Sequence, residues 1–248
     1  MSPDLGPDLE LALELADAAD EITLSRFRAA DLRVETKPDR TPVTEADRAV
    51  EKELRRLLGE HRPGHRIVGE ELGATGDGDA PRWIVDPIDA TKNYLRGIPL
   101  FATLIALEQE VAVVSAPALG RRWWAERGRG AYCDGRRLQV SRVEQVEDAV
   151  VTYTSLHGFD GRFLAVLDRC WAPRGFGDFW QYMLLAEGAV DACVESVANH
   201  WDLAAPKLIV EEAGGRFTDL SGADRADGGS ALASNGVLHD ALLEALRA

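Results

Sequence analysis

The segment Trp83-Ile-Val-Asp-Pro-Ile-Asp-Ala-Thr91 constrains this chain more than any other. An apolar run that asks for burial ends in two carboxylates three residues apart, with a proline between them and a threonine just after. This is a poor composition for packing and a good one for a metal site. Pro87 fixes the turn, so Asp86, Asp89 and the Ile88 carbonyl offer three hard oxygen donors. Such donors suit magnesium or manganese and not zinc, because neither Cys nor His joins them. If a helix begins near Ala90 and Thr91, its free N–H groups face the same space and can bind phosphate. The plain alternative is an Asp cap in a turn.

Three further pieces fit the same site. Glu70 and Glu71 follow the apolar pair Ile67-Val68, so along an extended chain one carboxylate faces inward and the other outward; Glu70 is taken as inward. Two solvated acids at a strand end are the alternative. Thr44-Glu-Ala-Asp47 is a capping box with Thr44 as N-cap. An Asp held in a first helical turn is also rigid enough to orient a water, and the Thr91 hydroxyl would complete that relay. Trp201-Asp202 is followed, after eleven residues, by Gly214-Gly215. Asp202 stands at a helix opening as N-cap or metal ligand, and the glycine pair ends that helix. Pro206 is awkward if the helix starts at Leu203.

Chemistry favours a metal over a lone base. Uncatalysed phosphate-monoester hydrolysis calls for acceleration approaching roughly 10²¹-fold, whereas a positioned base contributes about 10²–10⁴. Divalent ions make up much of the difference. The chain has no G-x-x-x-x-G-K-[ST] loop and no G-x-S-x-G elbow, and Gly128-x-Gly130 lacks the third glycine of a dinucleotide fingerprint. The two residues between Asp86 and Asp89 do not match the D-x-D-x-[TV] of aspartyl-nucleophile phosphatases.

At 248 residues the chain buries enough apolar surface to fold without disulfides or structural metal. Forty-two acidic against 28 basic residues leave a formal charge of −14, which argues against nucleic acid or an anionic membrane surface as partner. Cys133, Cys170 and Cys193 are odd in number and widely spaced, as expected in a reducing cytoplasm. The first ten residues are acidic and proline-containing, unlike a signal peptide, and no apolar run approaches the roughly 18 residues of a membrane span.

Leu11, Leu15, Ala18 and Ile22 predict one amphipathic helix, and Ala46, Val50, Leu54 and Leu57 a second from Thr44. Strand-like runs follow at 66–68, 83–85, 101–107, 111–115 and 138–140, with a hairpin turn at Cys133-Asp134-Gly135. Residues 1–141 therefore read as helices on a largely antiparallel sheet. Residues 142–248 read as an α/β half, with strands at 149–154, 190–194, 215–218 and 231–233. Its helices fall at 161–171, 179–188, 203–213 and after Asn235. The site is expected where the halves meet.

In this order the pieces resemble the inositol monophosphatase family, whose pattern is D…E-E…D-P-[IL]-D-[SGA]-T…W-D-x11-G-G. The resemblance runs from Asp47 to Gly215 and on through Ala233-Ser-Asn-Gly236. It implies a layered αβαβα sandwich, commonly a homodimer, and a magnesium-dependent, lithium-sensitive phosphatase with two to three ions. By the same resemblance Glu70, Asp86 and the Ile88 carbonyl hold one ion, Asp86, Asp89 and Asp202 a second, and Glu70 a third. Asp47 and Thr91 orient the water, and the Ala90 and Thr91 amides receive the phosphate. Ala90 stands where many members have glycine, so its backbone must keep φ negative or accept strain.

The stretches Lys92-Asn-Tyr-Leu-Arg-Gly-Ile-Pro99, Ser115-Ala-Pro-Ala-Leu-Gly-Arg-Arg-Trp-Trp124 and Arg174-Gly-Phe-Gly-Asp-Phe-Trp180 resemble the histidinol-phosphate phosphatase branch typical of actinobacteria. That substrate carries an ammonium and an imidazole, so acids outside the metal shell favour it, with Asp178 and Glu195 the candidates. Glu195 lies seven residues before Asp202, where the family places a substrate-contacting acid. Rival readings are an inositol-1-phosphate or broad sugar phosphatase, a 3′-phosphoadenosine 5′-phosphate phosphatase and a non-catalytic metal- or phosphometabolite-binding regulator. His200 is read as a packing or surface residue, Trp123 and Trp124 as cover for a sheet or dimer surface, and Arg121 and Arg122 as solvated. Asn199-His200 departs from the small or apolar residues expected before Trp201-Asp202.

Overall fold

The computed structural model describes residues 5–38 and 40–247. Part of the acidic opening, residues 1–4, lies outside that range. The first half runs α1 (Pro7–Arg26), β1 (Val34–Thr36), β2 (Pro42–Thr44), α2 (Glu45–His61), β3 (Arg66–Gly69), β4 (Gly73–Thr75), β5 (Arg82–Asp89) and α3 (Thr91–Leu95). It continues through β6 (Ala102–Leu107), β7 (Val111–Ala116), β8 (Arg121–Glu126), β9 (Gly130–Cys133) and β10 (Arg136–Arg137). The second half holds β11 (Val150–Tyr153), α4 (Gly161–Arg169), β12 (Ala172–Arg174), α5 (Asp178–Ala186), β13 (Ala192–Glu195), α6 (His200–Glu212), β14 (Arg216–Thr218), β15 (Ala231–Ser234) and α7 (His239–Arg247).

Eight strands in the order β10-β9-β8-β7-β6-β5-β3-β4 form one sheet, and five in the order β12-β11-β13-β15-β14 form another. The larger sheet is antiparallel except where β3 runs parallel to β5. Period-two alternation divides each strand between two cores. On β6 and β7, Ile105, Leu107, Val111 and Val113 pack with α1 and α2, while Leu104, Ala106, Ala112 and Val114 face the opposite way. That second face meets α5 and α6 through Phe179, Met183, Leu203 and Ile209, whose far side covers Cys193 and Ala233 of the smaller sheet. Ala192, Val194 and Leu232 point to the last layer, α4 and α7. The result is a layered αβαβα sandwich.

The predicted second helix stands as expected, with Val50, Leu54 and Leu57 buried. In α1 the inward stripe is rotated: Leu9, Ala12, Ala16 and Ala19 join Leu11 and Leu15, while Ala18 and Ile22 are only half-buried. Small alanines let this helix approach β7 closely. The hairpin is present, with Arg136 opposite Cys133 and positive φ at Asp134 and Gly135. The strand expected at 138–140 does not form. Leu138 N–H reaches Ala131, but Val140 N–H turns to the Ala213 carbonyl at the end of α6, so these apolar residues fill the core without a ladder.

Trp123 covers the inner face of the larger sheet and not a dimer surface. It is fully buried between β8 and α5, with its indole N–H donating to Glu187 at 2.6 Å. Trp124 stacks on Tyr132. Arg121 pairs with Glu187, and Arg122 with Asp17 and Asp20, so both are structural cations and not solvated ones. All three cysteines are free and buried. Among the described residues no helix is long and apolar enough to cross a membrane.

Candidate active site

The end of β5 is where the chain stops satisfying its own charges. Asp86 and Asp89 are buried at the tip of the strand, and the register with β6 breaks between them. Asp202, brought in by α6, has a carboxylate oxygen close to theirs, and one oxygen from each of the three lies within 4.8 Å of the others. Asp202 is not the N-cap. The helix starts at His200 with Asn199 as cap, and Asp202 at the third helical position accepts the Asn199 backbone N–H at 2.7 Å. Pro206 thus lies inside the helix, two turns from its start, where it offers no N–H to the Asp202 carbonyl. At the other end Gly214, with φ of 91°, closes the helix.

Burial, then Glu70, Asp89 and Asp202, raise the Asp86 carboxyl well above its ordinary range. Burial, Asp178 and Asp202 do the same to Asp89, against one donor, the Phe179 N–H at 2.5 Å. Burial pushes Asp202 up to about 6. These oxygens suit a hard divalent cation on two independent grounds: every donor is oxygen, and the negative charges repel until a positive one sits among them.

Asp47 and Thr91 meet beside this cluster. Asp47 Oδ2 closes the capping box, accepting the Thr44 N–H at 2.8 Å and its hydroxyl at 2.6 Å. Its Oδ1 lies 3.4 Å from the Thr91 hydroxyl, which also reaches the Ile88 carbonyl at 3.0 Å. The capping role and the site role are therefore held by different oxygens of one side chain. Burial raises the Asp47 carboxyl, and Glu70 adds to that. Ala90 adopts φ 66° and ψ 44°, so the strained option is the one realised. A left-handed alanine costs about 1–2 kcal/mol.

Glu70 and Glu71 do not alternate. β3 ends at Gly69, and both carboxylates converge on Lys37, at 2.7 and 2.5 Å. Glu71 is the more enclosed side chain, 5% exposed against 20%, yet it is Glu70 that lines the site. Lys37, in the β1–β2 connection, carried no signal in the sequence.

A cleft of about 360 Å³, lined by Glu70, Asp86, Asp89 and Thr91 while Asp47 stays buried behind Thr91, joins this site to the second half of the chain. Asp178 lines it from the start of α5 with φ of 50°. Burial raises its carboxyl, opposed by Lys92. Glu195 lines it from the end of β13, but its oxygens already accept from the hydroxyls of Thr154 and Tyr182, the latter at 2.5 Å. Burial pushes Glu195 up to about 7 despite both bonds. Sequence reasoning missed Thr154, Tyr182 and Lys92; the first two read as ordinary strand and helix residues. Among the described residues Lys92 is the one cation lining the cleft. Asn199 lines it too, while His200 faces away and pairs with Glu108 at 3.3 Å.

The inositol monophosphatase family model matches residues 4–248. The chain is 52% identical over 255 residues to a histidinol-phosphatase of Mycobacterium tuberculosis, covering 97% of this chain and 98% of that protein. It is 51% identical over 259 residues to a histidinol-phosphatase of Streptomyces coelicolor, covering 97% of each. The crystal structure of the extragenic suppressor protein suhB from Bartonella henselae superposes with a TM-score of 0.89 at 29% identity, covering 98% of this chain and 99% of that one.

Proposed function

Because this chain belongs to the inositol monophosphatase family, we propose that its phosphoric monoester hydrolase activity is directed at histidinol phosphate, releasing histidinol and phosphate. The observation that carries the chemistry is the convergence of the Asp86, Asp89 and Asp202 oxygens beside the Asp47–Thr91 pair. The substrate reading is supported by the named activity of the two relatives and by the acids of the opposite wall.

Asp86, Asp89 and Asp202 would hold one magnesium ion, and Glu70, Asp86 and the Ile88 carbonyl another. Glu70 would also serve a third, and manganese could substitute. When bound, such ions lower the pKa of water and neutralise phosphoryl oxygens. Thr91 accepts a hydrogen bond from the attacking water and passes a proton toward Asp47, whose raised carboxyl suits it to receive one. The water attacks phosphorus in line with the ester oxygen, the P–O ester bond breaks, and the departing alkoxide takes a proton from solvent water in the open cleft. The N–H groups of Ala90 and Thr91 receive the phosphate, and Asp178 and Glu195 face the cationic remainder of the substrate. Glu195 acts within its bonds to Thr154 and Tyr182, so it sets the shape and charge of that wall.

The proposal extends to a homodimer in the cytoplasm. Its supports are the free thiols and the exposed Trp171, 72% accessible, next to the edge strand β12.

The test is a substrate panel with phosphate release as readout, in magnesium and in EDTA. Histidinol phosphate should be turned over with the highest kcat/KM, and EDTA should abolish turnover. Preference for inositol 1-phosphate or 3′-phosphoadenosine 5′-phosphate would replace the substrate reading. Activity unchanged in EDTA would remove the metal site.

A further inference from the structure

We infer that Glu51 is a positioning residue for Glu70, holding the turn between β3 and β4 so that the Glu70 side chain stands beside Asp86. The inference rests on the reading of Glu70 as a metal ligand. Glu51 lies one turn beyond Asp47 on α2 and is fully buried. Its Oε2 accepts the Glu71 N–H at 2.7 Å, and its Oε1 accepts the Leu72 N–H at 3.1 Å. Arg55, one turn further, donates to Glu51 Oε1 at 2.9 Å and continues to the Thr75 hydroxyl at 3.1 Å and the Gly73 carbonyl. An isolated Glu–Arg pair at this spacing on an exposed helix face contributes little. Here the carboxylate is buried and both its oxygens are committed to one turn.

The backbone geometry explains why this matters for Glu70. The peptide plane before Glu70 is held by its own N–H, which donates to the Val85 carbonyl at 3.3 Å, one residue ahead of Asp86. The plane after it is held by the Glu71 N–H on Glu51. With both planes fixed, φ and ψ of Glu70 are set, and with them the direction in which its side chain leaves the backbone. Gly69 belongs to the same device. A Cβ there would lie 2.1 Å from Glu51 Oε1, so any larger residue would drive the carboxylate away. One rigid helix thus presents Asp47 directly and Glu70 through Glu51, which keeps the two acids in register.

The experiment uses full-length Glu51→Gln, Gly69→Ala and Glu70→Gln proteins. Manganese is titrated into each metal-free protein by calorimetry, amide exchange is read at Glu71 and Leu72, and phosphate release is followed against magnesium concentration. Glu51→Gln keeps one acceptor and should fold, with faster exchange at the amide, Glu71 or Leu72, that loses its acceptor. Its weakest ion should bind about 10-fold or more weakly, the scale expected for an outer partner of a ligand. High magnesium should restore most of the lost turnover, a rescue that a merely structural defect would not show. Gly69→Ala, which crowds the same carboxylate from the other side, should give the same pattern. Wild-type manganese affinity in both, alongside a lost ion in Glu70→Gln, would overturn the inference. Unchanged binding in Glu70→Gln would instead overturn the reading of Glu70 on which it rests. Should Glu51→Gln fail to fold, Gly69→Ala decides alone.

Discussion

Asp86 and Asp219 are both 1% exposed, Asp86 deep in the fold and Asp219 just under the surface beside the half-exposed Arg225, and their neighbours drive the two carboxyls to opposite ends. Burial would raise the Asp219 carboxyl, but the Ser221 hydroxyl at 2.5 Å, the Arg225 guanidinium at 2.6 Å and the Ala223 N–H at 3.0 Å bring it down to about 2. Asp86 receives one backbone donor, the Ile88 N–H at 3.0 Å, and its other neighbours are acids that reinforce burial. A structural aspartate is given its donors by the fold. The cluster at the end of β5 is given further carboxylates, and the oxygens of Asp86, Asp89 and Asp202 lie close enough together for one cation to neutralise them. Perturbed acids converging in a cleft mark chemistry for this reason, whereas burial alone does not.

The sharpest way to break this contrast is to neutralise one member of each set. Asp89→Asn should lower kcat/KM more than about 100-fold, because even an outer partner of a metal ligand is worth 10–100-fold. Its metal-free form should melt no lower than wild type, since a repelling charge has gone. A fully active Asp89→Asn protein would end the metal-site reading. Asp219→Ala should do the reverse, losing about 1–3 kcal/mol of stability by chemical denaturation. The kcat/KM of its folded fraction should stay at the wild-type value. If Asp219→Ala abolished turnover without destabilising the fold, the division into structural and functional acids would fail.

Acidity sharpens the same contrast. Asp202 and Glu195 have folded-state values of about 6 and about 7, above those of unfolded acids. A carboxyl raised in this way favours the folded protein fully below its unfolded pKa and loses that contribution as pH rises through the folded value. Metal-free protein therefore loses stability at these acids between about pH 4 and 7, and magnesium, by binding the ionised Asp202, should restore part of it. The rise in Tm on adding magnesium should be largest near pH 8 and shrink toward pH 5.5 as protons compete. Taking the difference between magnesium and EDTA at each pH removes groups remote from the site, such as His239, whose imidazole burial lowers to about 4. A magnesium increment independent of pH would contradict the assignment.

How much of this was visible in the sequence follows from how local each device is. Asp86, Asp89 and Thr91 share one turn, and Thr44 with Asp47 one helical start, so composition and spacing announced both. Strands β6 and β7 were readable as short apolar runs, buried on both faces, whereas their stacking into an αβαβα sandwich was implied by the family resemblance. Lys37 meets Glu70 and Glu71 across 33 and 34 residues, and no local pattern encodes that contact. Glu51 with Arg55 looks like an ordinary exposed helix pair, since only the tertiary fold buries it. Thr154 and Tyr182 read as strand and core residues because their partner, Glu195, is on another element. The 138–140 stretch misled because apolar residues beside a hairpin look like a strand whether or not a neighbour offers a ladder.

The smallest expected effect concerns strain at the site, separate from charge. Ala90 has no side-chain group to compensate its φ of 66°, and glycine would relieve the clash while adding freedom to the unfolded chain. The two effects oppose, so Ala90→Gly should gain about 0.5–1 kcal/mol, or a Tm rise of roughly 1–4 °C at this chain length. Magnesium affinity should not move, because Asp86 and Asp89 are held by β5 and by the Ile88 and Phe179 amides, not by the Ala90 dihedral. If Ala90→Gly instead weakened magnesium or raised KM while stabilising the fold, the left-handed alanine would be stiffening the phosphate-facing turn. Strain would then join charge as a second demand of the site that the fold bears at the end of β5 and not around Asp219.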